Sequence, residues 1–388
     1  MTSVELFAGA GGLALGASHA GFNHKAVVEI DHDACNTIRA NQERGLKPVV
    51  DWPLYEADVT KFPFEVCGSD IDLLAAGVPC QPWSMGGKHK GVQDARNMFP
   101  EMLRAVRSLR PKAVLIENVK GLLRQSFANY FQYIKLMLAF PEVIRESGEQ
   151  WRHHLARLEQ HETSGSEYGL RYNVISELLN AANFGVPQKR ERVFVVAFRS
   201  DLGVKWSFPE HTHSQELLWE SQFVTGEYWE EHKVAKKSRP PMAGDRLAAR
   251  FREGTLFVGG QQRWQTVRDA IFALPQPGSS DVPNHQQQPG ARSYPGHTGS
   301  PIDEPAKTLK AGDHGVPGGE NTILYADGRI RYMTVRESAR IQTFPDDFVF
   351  TGSWTENMRQ LGNAVPARLG QIIAADIRKR LPERKLAN

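Results

Sequence analysis

Cys80 stands in the run Gly77-Val78-Pro79-Cys80-Gln81-Pro82-Trp83-Ser84, directly after the apolar stretch Ile71–Ala76. Such a stretch reads as a buried strand, and a cysteine just past its carboxyl end lies where open α/β sheets bind ligands. A thiolate at that place is a nucleophile able to form a covalent intermediate. A free cysteine is more often a small buried hydrophobe, but the residues that follow do not form a core run. Met85-Gly86-Gly87-Lys88-His89-Lys90-Gly91 is flexible and basic, and suits a lid that closes over phosphates. Two further groups could do chemistry. Glu117-Asn118 ends the apolar strand Ala113–Ile116, and Gln188-Lys189-Arg190-Glu191-Arg192 precedes the strand Val193–Phe198. Taken singly, the first is equally a carboxylate capping the next helix, and the second a solvated charged turn.

The chain opens with a ligand-binding pattern of its own. Phe7-Ala8-Gly9-Ala10-Gly11-Gly12 lies between the strand Val4–Phe7 and a helix that starts at Leu13 and stops at Gly21. Glycines there let backbone approach a ligand, and the helix N-terminus favours an anionic group. Glu29, at the end of the next strand, Ala26–Ile30, is placed to accept hydrogen bonds from ribose hydroxyls. Asp58, in Glu56-Ala57-Asp58-Val59-Thr60, follows a third turn and could hold an adenine amine. Gly9-x-Gly11-x-x-Ala14 also fits the dinucleotide fingerprint. The motif therefore leaves open a nicotinamide or flavin dinucleotide and S-adenosylmethionine.

These groups need a sheet to position them. Strands at 4–7, 26–30, 71–76 and 113–116 alternate with helical segments such as Asp33–Asn41, which predicts an α/β fold with a parallel sheet covered on both faces. Residues 125–170, with FANYFQYIKLMLAF and EQWRHHLARLEQHE, read as helices inserted on that scaffold. After about residue 200 the chain becomes rich in Pro, Gly and Gln, yet Trp206, Trp219, Trp229 and Trp264 argue for a folded, loop-rich second domain rather than a disordered linker. The pattern is regular again from Thr334. Gly362-Asn363-Ala364-Val365-Pro366 is expected to start the last helix, Gln371–Arg380, with Asn363 as its N-cap.

At 388 residues the chain has room for two domains, and its formal net charge of +3 is compatible with a polyanionic partner without requiring one. Cys35, Cys67 and Cys80 form neither a disulfide framework nor a zinc-ligand spacing, so a reducing compartment and no metal are expected. No signal peptide and no membrane span are expected either.

Five blocks occur in a fixed order: Phe7–Gly12, Pro79-Cys80-Gln81, Glu117-Asn118-Val119, Gln188–Arg192 and Gly362–Pro366. In this the chain resembles the DNA (cytosine-5) methyltransferase family, and Arg336–Pro345 is similar to another block of that family. The resemblance implies a class I S-adenosylmethionine-dependent methyltransferase fold, Rossmann-like, with a mostly parallel, doubly wound sheet. Residues 1–200 and 332–388 would form the catalytic domain, and 201–331 a smaller, loop-rich target-recognition domain. It further implies that Cys80 adds to cytosine carbon 6, that Glu117 assists at N3 and Arg192 at O2, and that Arg190 faces the same side of the strand and supports them. Phe7, Ala8, Gly9, Gly11, Gly12, Leu13, Glu29, Ile30, Asp58, Val59, Pro79, Asn363 and Ala364 would hold the cofactor, S-adenosyl-L-methionine, released as S-adenosyl-L-homocysteine.

Double-stranded DNA would be the substrate, its target cytosine flipped out, with Ser84–Arg96 closing behind it and Asn97-Met98-Phe99 forming a cofactor-side turn. Gln81, Ser84, Lys88, Lys90, Asn118, Arg292, Lys307, Thr308 and Lys310 are the expected DNA contacts, with His314 a further candidate. Acidic side chains slightly outnumber basic ones between 201 and 330, so affinity would come from a local patch. A cytoplasmic, nucleoid-associated monomer working beside a separate restriction endonuclease is the expected setting. Three rivals are weaker. A transfer RNA cytosine methyltransferase would carry a Cys-Phe-Thr signature after Cys80, and no cysteine follows it. A dehydrogenase leaves the Cys80, Glu117 and Gln188–Arg192 blocks unexplained, and a non-catalytic relative would be expected to lack Cys80 or Glu117.

Overall fold

Residues 1–79, 97–165, 169–241, 260–278, 282–293, 298–311 and 321–382 are described by the structure, a computed structural model. They divide into two compact units. The first comprises 1–179, 191–209 and 370–388, and the second 180–190 and 210–369.

The first unit is built on a seven-stranded sheet. Its strands are β1 (Thr2–Leu6), β2 (Asn23–Glu29), β3 (Leu54–Glu56), β4 (Leu73–Gly77), β5 (Ala113–Val119), β6 (Tyr172–Asn180) and β8 (Glu191–Arg199), in the order β3-β2-β1-β4-β5-β8-β6. The short β7 (Gln188–Lys189) belongs to a separate pair. From β3 to β5 every pairing is parallel, and β8 runs antiparallel to β5. Strand order reverses between β1 and β4, so a crevice opens outside their carboxyl ends, the usual ligand position in open α/β sheets.

Val4 and Leu6 of β1 join the apolar core beneath α3 (Phe99–Leu109) and α4 (Ala128–Ala139). α1 (Gly12–His19) packs against β2 and β4, and α2 (His32–Glu43) against β2 and β3; Gly21, with φ +91, lies just past the end of α1. The helix Ala367–Arg380 closes the chain, and Gly370 comes so near Leu13 that an added Cβ would lie 3.1 Å from its Cδ1. Trp206 stays with this unit, its Nε1 donating to Asp376. No helix among the described residues is long and apolar enough to cross a membrane.

Glu5, mid-strand on β1, is 1 % exposed, and neither carboxylate oxygen has a hydrogen-bond partner among the described residues. Burial without a partner pushes its pKa well above the ordinary glutamate value. The folded state therefore favours the protonated acid, and this contribution to stability is lost as pH rises from the unfolded pKa through the folded one. Glu5→Gln is expected to be more heat-stable than the parent at pH 8, with the difference shrinking toward pH 4.5. Melting curves across that range check it.

The second unit holds two small cores. Leu218, Tyr228, Trp229 and Trp264 pack on Ala182, while Val267, Ile302, Ala306, Leu309, Ile323, Met333 and Ile341 form the other. Its strands are only two or three residues long, as the Pro- and Gly-rich sequence predicts. The unit takes in more than the loop-rich segment, because residues 180–190 and 332–369 pack with it. One expectation needs correcting. Gly362 and Asn363 end the helix Trp354–Asn363 instead of starting the last one, which begins at Ala367. Ala364 leaves the helix with φ −65 and ψ 145, the extended form, and Pro366 directly precedes the next helix.

Candidate active site

Four strand ends of the first unit bear the reactive groups. After β1 the chain turns sharply through Phe7 and Gly9, with φ of +56 and +55, into Gly11 at the start of α1. Glu29, at the end of β2, is 8 % exposed, and its carboxylate organises this turn. One oxygen accepts the Gly9 N–H at 2.7 Å, and the other accepts those of Ile30 and Asp31, each at 2.8 Å. A carboxylate offers about four acceptor positions, so capacity for a ligand hydroxyl remains. A Cβ built on Gly9 would meet no described atom within 4 Å, which leaves open space beside its backbone. Ile30, next to Glu29, is 64 % exposed, an unusual state for an isoleucine at a strand end. An acidic acceptor, open glycine backbone and a bare apolar side chain fit the ribose and flat base of a nucleoside cofactor. Ala8, Gly11, Gly12, Leu13 and Val59 are buried behind this rim. Asp58 is half-buried, and its carboxylate accepts from the Thr60 N–H, which holds it below the usual aspartate range.

β4 carries the chain past buried Val78 to Pro79. Cys80, Gln81, Ser84, Lys88, Lys90 and His314 lie outside the described residues. The other two cysteines are poor nucleophiles. Both are buried, and desolvation pushes the Cys35 thiol up to about 12 and that of Cys67 to about 11. Neither supplies thiolate near neutral pH.

Glu117 sits beside Gly77 in the β4–β5 register, three residues before Cys80 in the chain. Its side chain is 9 % exposed and pairs with Arg192, whose side chain is 13 % exposed, Nε to Oε1 at 2.9 Å. The antiparallel run of β8 creates this contact. It brings the start of β8 to the end of β5, with Glu117 opposite Phe194 and Arg192 diagonally placed on the same face. Arg192 Nη1 also donates to the Glu191 carbonyl, which restrains the guanidinium.

Two residues have different places from those expected. Asn118 is 1 % exposed, and its amide donates to the Val78 carbonyl at 3.3 Å while Oδ1 accepts the Val119 N–H. It is an anchor for the segment leading to Cys80, not an exposed DNA contact. Arg190 does not share a strand with Arg192, because β8 begins at Glu191. Arg190 instead lies in the second unit, 1 % exposed, and donates to the carbonyls of Leu309 and Gly362. A buried guanidinium must be met by acceptors, and these carbonyls meet its Nη1 and Nη2.

Around Arg190 the second unit gathers several sequence blocks. β7 pairs in parallel with Ala306–Lys307, and Thr308 Oγ1 donates to the Lys189 carbonyl. Gln188 accepts from the Leu309 N–H and donates to Gln342, which donates in turn to the Leu361 and Ala364 carbonyls. Gly362 packs so closely on the Lys310–Ala311 backbone that an added Cβ would overlap Ala311 N. Gln188 and Gln342, both wholly buried, lie in blocks that the sequence marks out, but no role for either is legible there. The signal was an amide residue at the edge of an apolar run, in Ile341-Gln342 and in Gln188 before β8. Lys307 is half-buried with Nζ on Thr298, whereas Lys310 and Arg292 are exposed.

The family model for C-5 cytosine-specific DNA methylases matches residues 1–140 and 157–379. The type II methyltransferase M.Eco47II of Escherichia coli is 32 % identical over 97 % of this chain and 78 % of its own length. M.NgoMIV of Neisseria gonorrhoeae, also a type II methyltransferase, is 32 % identical over 98 % of both chains. Among solved structures, a candidate DNA modification methyltransferase encoded within an E. coli prophage shares the fold with a TM-score of 0.57. It is 19 % identical, over 98 % of this chain and 99 % of that one.

Proposed function

Because the chain belongs to the C-5 cytosine-specific DNA methylase family, we propose that it methylates a cytosine extruded from duplex DNA through a covalent adduct of Cys80. Membership gives the activity class, DNA cytosine-5 methyl transfer of the type II restriction-modification kind. The mechanism rests chiefly on one observation, the enclosed Glu117–Arg192 pair beside the strand end that leads to Cys80.

Cytosine carbon 5 is a weak nucleophile. The Cys80 thiolate forms a bond to carbon 6, and the displaced electron pair moves toward N3 and O2. The Glu117 carboxyl protonates or hydrogen-bonds N3. The Arg192 guanidinium, with more N–H donors than its two described bonds engage, meets the charge at O2. S-adenosylmethionine, when bound, supplies a methyl group on a positively charged sulfur. Carbon 5, made electron-rich by the Cys80 adduct, would accept that methyl group as its bond to sulfur breaks and S-adenosyl-L-homocysteine is left. Transfer of the carbon 5 proton to water and expulsion of the Cys80 thiolate restore the ring. Glu29, Ile30 and the Phe7–Leu13 turn hold the nucleoside part of the cofactor, with Asp58, Val59 and Pro79 as further contacts.

A base inside a duplex cannot reach such groups, and extruding it costs a few kcal/mol. Gln81, Ser84, Lys88 and Lys90 are proposed to meet the DNA. So are Lys307, Thr308, Lys310 and Arg292, within a target-recognition segment at 201–331 that reads base edges. Arg190 holds the Leu309 and Gly362 segments of the second unit together. A cytoplasmic monomer acting beside a separate endonuclease of the same target completes the proposal.

The test is expression in a bacterial host free of DNA methylation, followed by base-resolution sequencing of 5-methylcytosine. Methylated cytosines confined to one short motif are expected. Unmodified DNA together with methylated transfer RNA would overturn the substrate.

A further inference from the structure

The chemistry above makes no use of the aromatic cluster on α4 and α5 (Trp151–Thr163). Tyr130, on α4, is 3 % exposed, and its hydroxyl accepts a 2.5 Å hydrogen bond from the Asn97 amide. The other end of that amide, Oδ1, accepts the Phe99 N–H where α3 begins. Trp151 packs edge-on against the Tyr130 ring at 5.6 Å between centroids, and at the same distance against Tyr133. Tyr133 is bonded to His154 Nδ1 at 2.8 Å, and His154 Nε2 lies 2.8 Å from the Val143 carbonyl. A carbonyl only accepts, so Nε2 carries the proton and Nδ1 accepts from the tyrosine. Burial, which lowers the His154 pKa, favours this neutral form. Val143, Trp151 and His154 all fall within 141–156, the stretch that the family match leaves out.

We propose that Tyr130 is a positioning residue for the segment bearing Cys80, and that the 141–156 insertion is this chain's brace for it. The inference rests on the reading of Cys80 as nucleophile. Asn97 is where the chain enters α3 after that segment, and Tyr130 fixes its side chain. At the other end, the Asn118 amide holds the Val78 carbonyl. The buried Asn118 amide at the end of β5 and the half-buried Asn97 amide, met by Tyr130 of α4, thus hold the chain on the two sides of that segment. Misplacement of reacting groups by about 1 Å can cost on the order of 10²-fold in rate, so loosening one pin should slow bond formation without weakening the fold.

The experiment uses duplex DNA with 5-fluorocytosine at the target, together with S-adenosylmethionine. Fluorine at carbon 5 cannot leave as the proton does, so the Cys80 adduct persists and its formation is timed on denaturing gels. Tyr130→Phe keeps the ring and removes the hydroxyl. It is expected to slow adduct formation about tenfold, with the DNA Kd within about twofold and Tm within about 2 °C. Trp151→Leu should slow it similarly, and the double variant should be no slower than the slower single one, since both act on one link. Trp151→Phe replaces it should Trp151→Leu not fold. An unchanged rate in Tyr130→Phe, or a slower rate matched by lost stability and DNA affinity, overturns the proposal while leaving the covalent reading intact. A wild-type chain that methylates DNA yet forms no adduct contradicts the covalent reading, and the inference with it.

Discussion

Cys80→Ser is expected to lower methyl transfer on the order of 10⁴-fold or more, the scale of losing a nucleophile elsewhere, while folding and cofactor binding persist. A serine hydroxyl is far less ionised than a thiol near neutral pH and adds poorly to an aromatic carbon. No other sulfur can stand in. Cys35 and Cys67 are buried, with thiols pushed up to about 12 and 11. Transfer of labelled methyl groups to duplex DNA, with calorimetric titration of S-adenosylhomocysteine beside it, separates lost chemistry from lost binding. Turnover near the parent's rate would contradict the covalent route.

Glu117→Gln is expected to reduce kcat by roughly 10²- to 10⁴-fold, the range for removing a general acid. Glutamine has nearly the same shape, and its amide oxygen can still accept from Arg192 Nε. The substitution therefore removes the group's ability to exchange a proton but keeps the local packing. Arg192→Met is a less direct probe. It would leave a carboxylate that is 9 % exposed without its guanidinium, a loss expressed in stability as well as rate. Comparing kcat and Tm for Glu117→Gln checks the claim, and an unchanged kcat would remove Glu117 from the chemistry.

The parts of the site read most directly from sequence are those defined by local pattern. The Gly9–Gly12 turn, Glu29 ending β2, the approach to Cys80 after β4 and Glu117 near the end of β5 each combine a short apolar strand with a distinctive residue beyond it. Parallel strands place all such ends on one edge, so local reading and global topology agree. What sequence left open depends on contacts far apart in the chain. Nothing local says that β8 runs antiparallel to β5, yet that direction alone brings Arg192 to Glu117. Arg190, two residues away, reads as its companion, but the strand starts between them and its guanidinium serves Leu309 and Gly362 instead. Asn363 reads as an N-cap because asparagine favours that position, whereas here it ends one helix and Pro366 leads into the next. The role of the 125–170 stretch was likewise hidden. Its aromatic residues at helical spacing are ordinary core signals, and the Asn97–Tyr130 bond becomes visible only once α3 and α4 are packed.

The most direct test of the covalent account is to identify the atom that Cys80 acquires. The purified protein is incubated with S-adenosylmethionine and a duplex carrying 5-fluorocytosine at its target, then digested and analysed by mass spectrometry. The account predicts a methylated fluorocytosine nucleotide covalently attached to the peptide containing Cys80. Methylation of normal DNA with no cross-linked peptide, or a cross-link on any other residue, would contradict it.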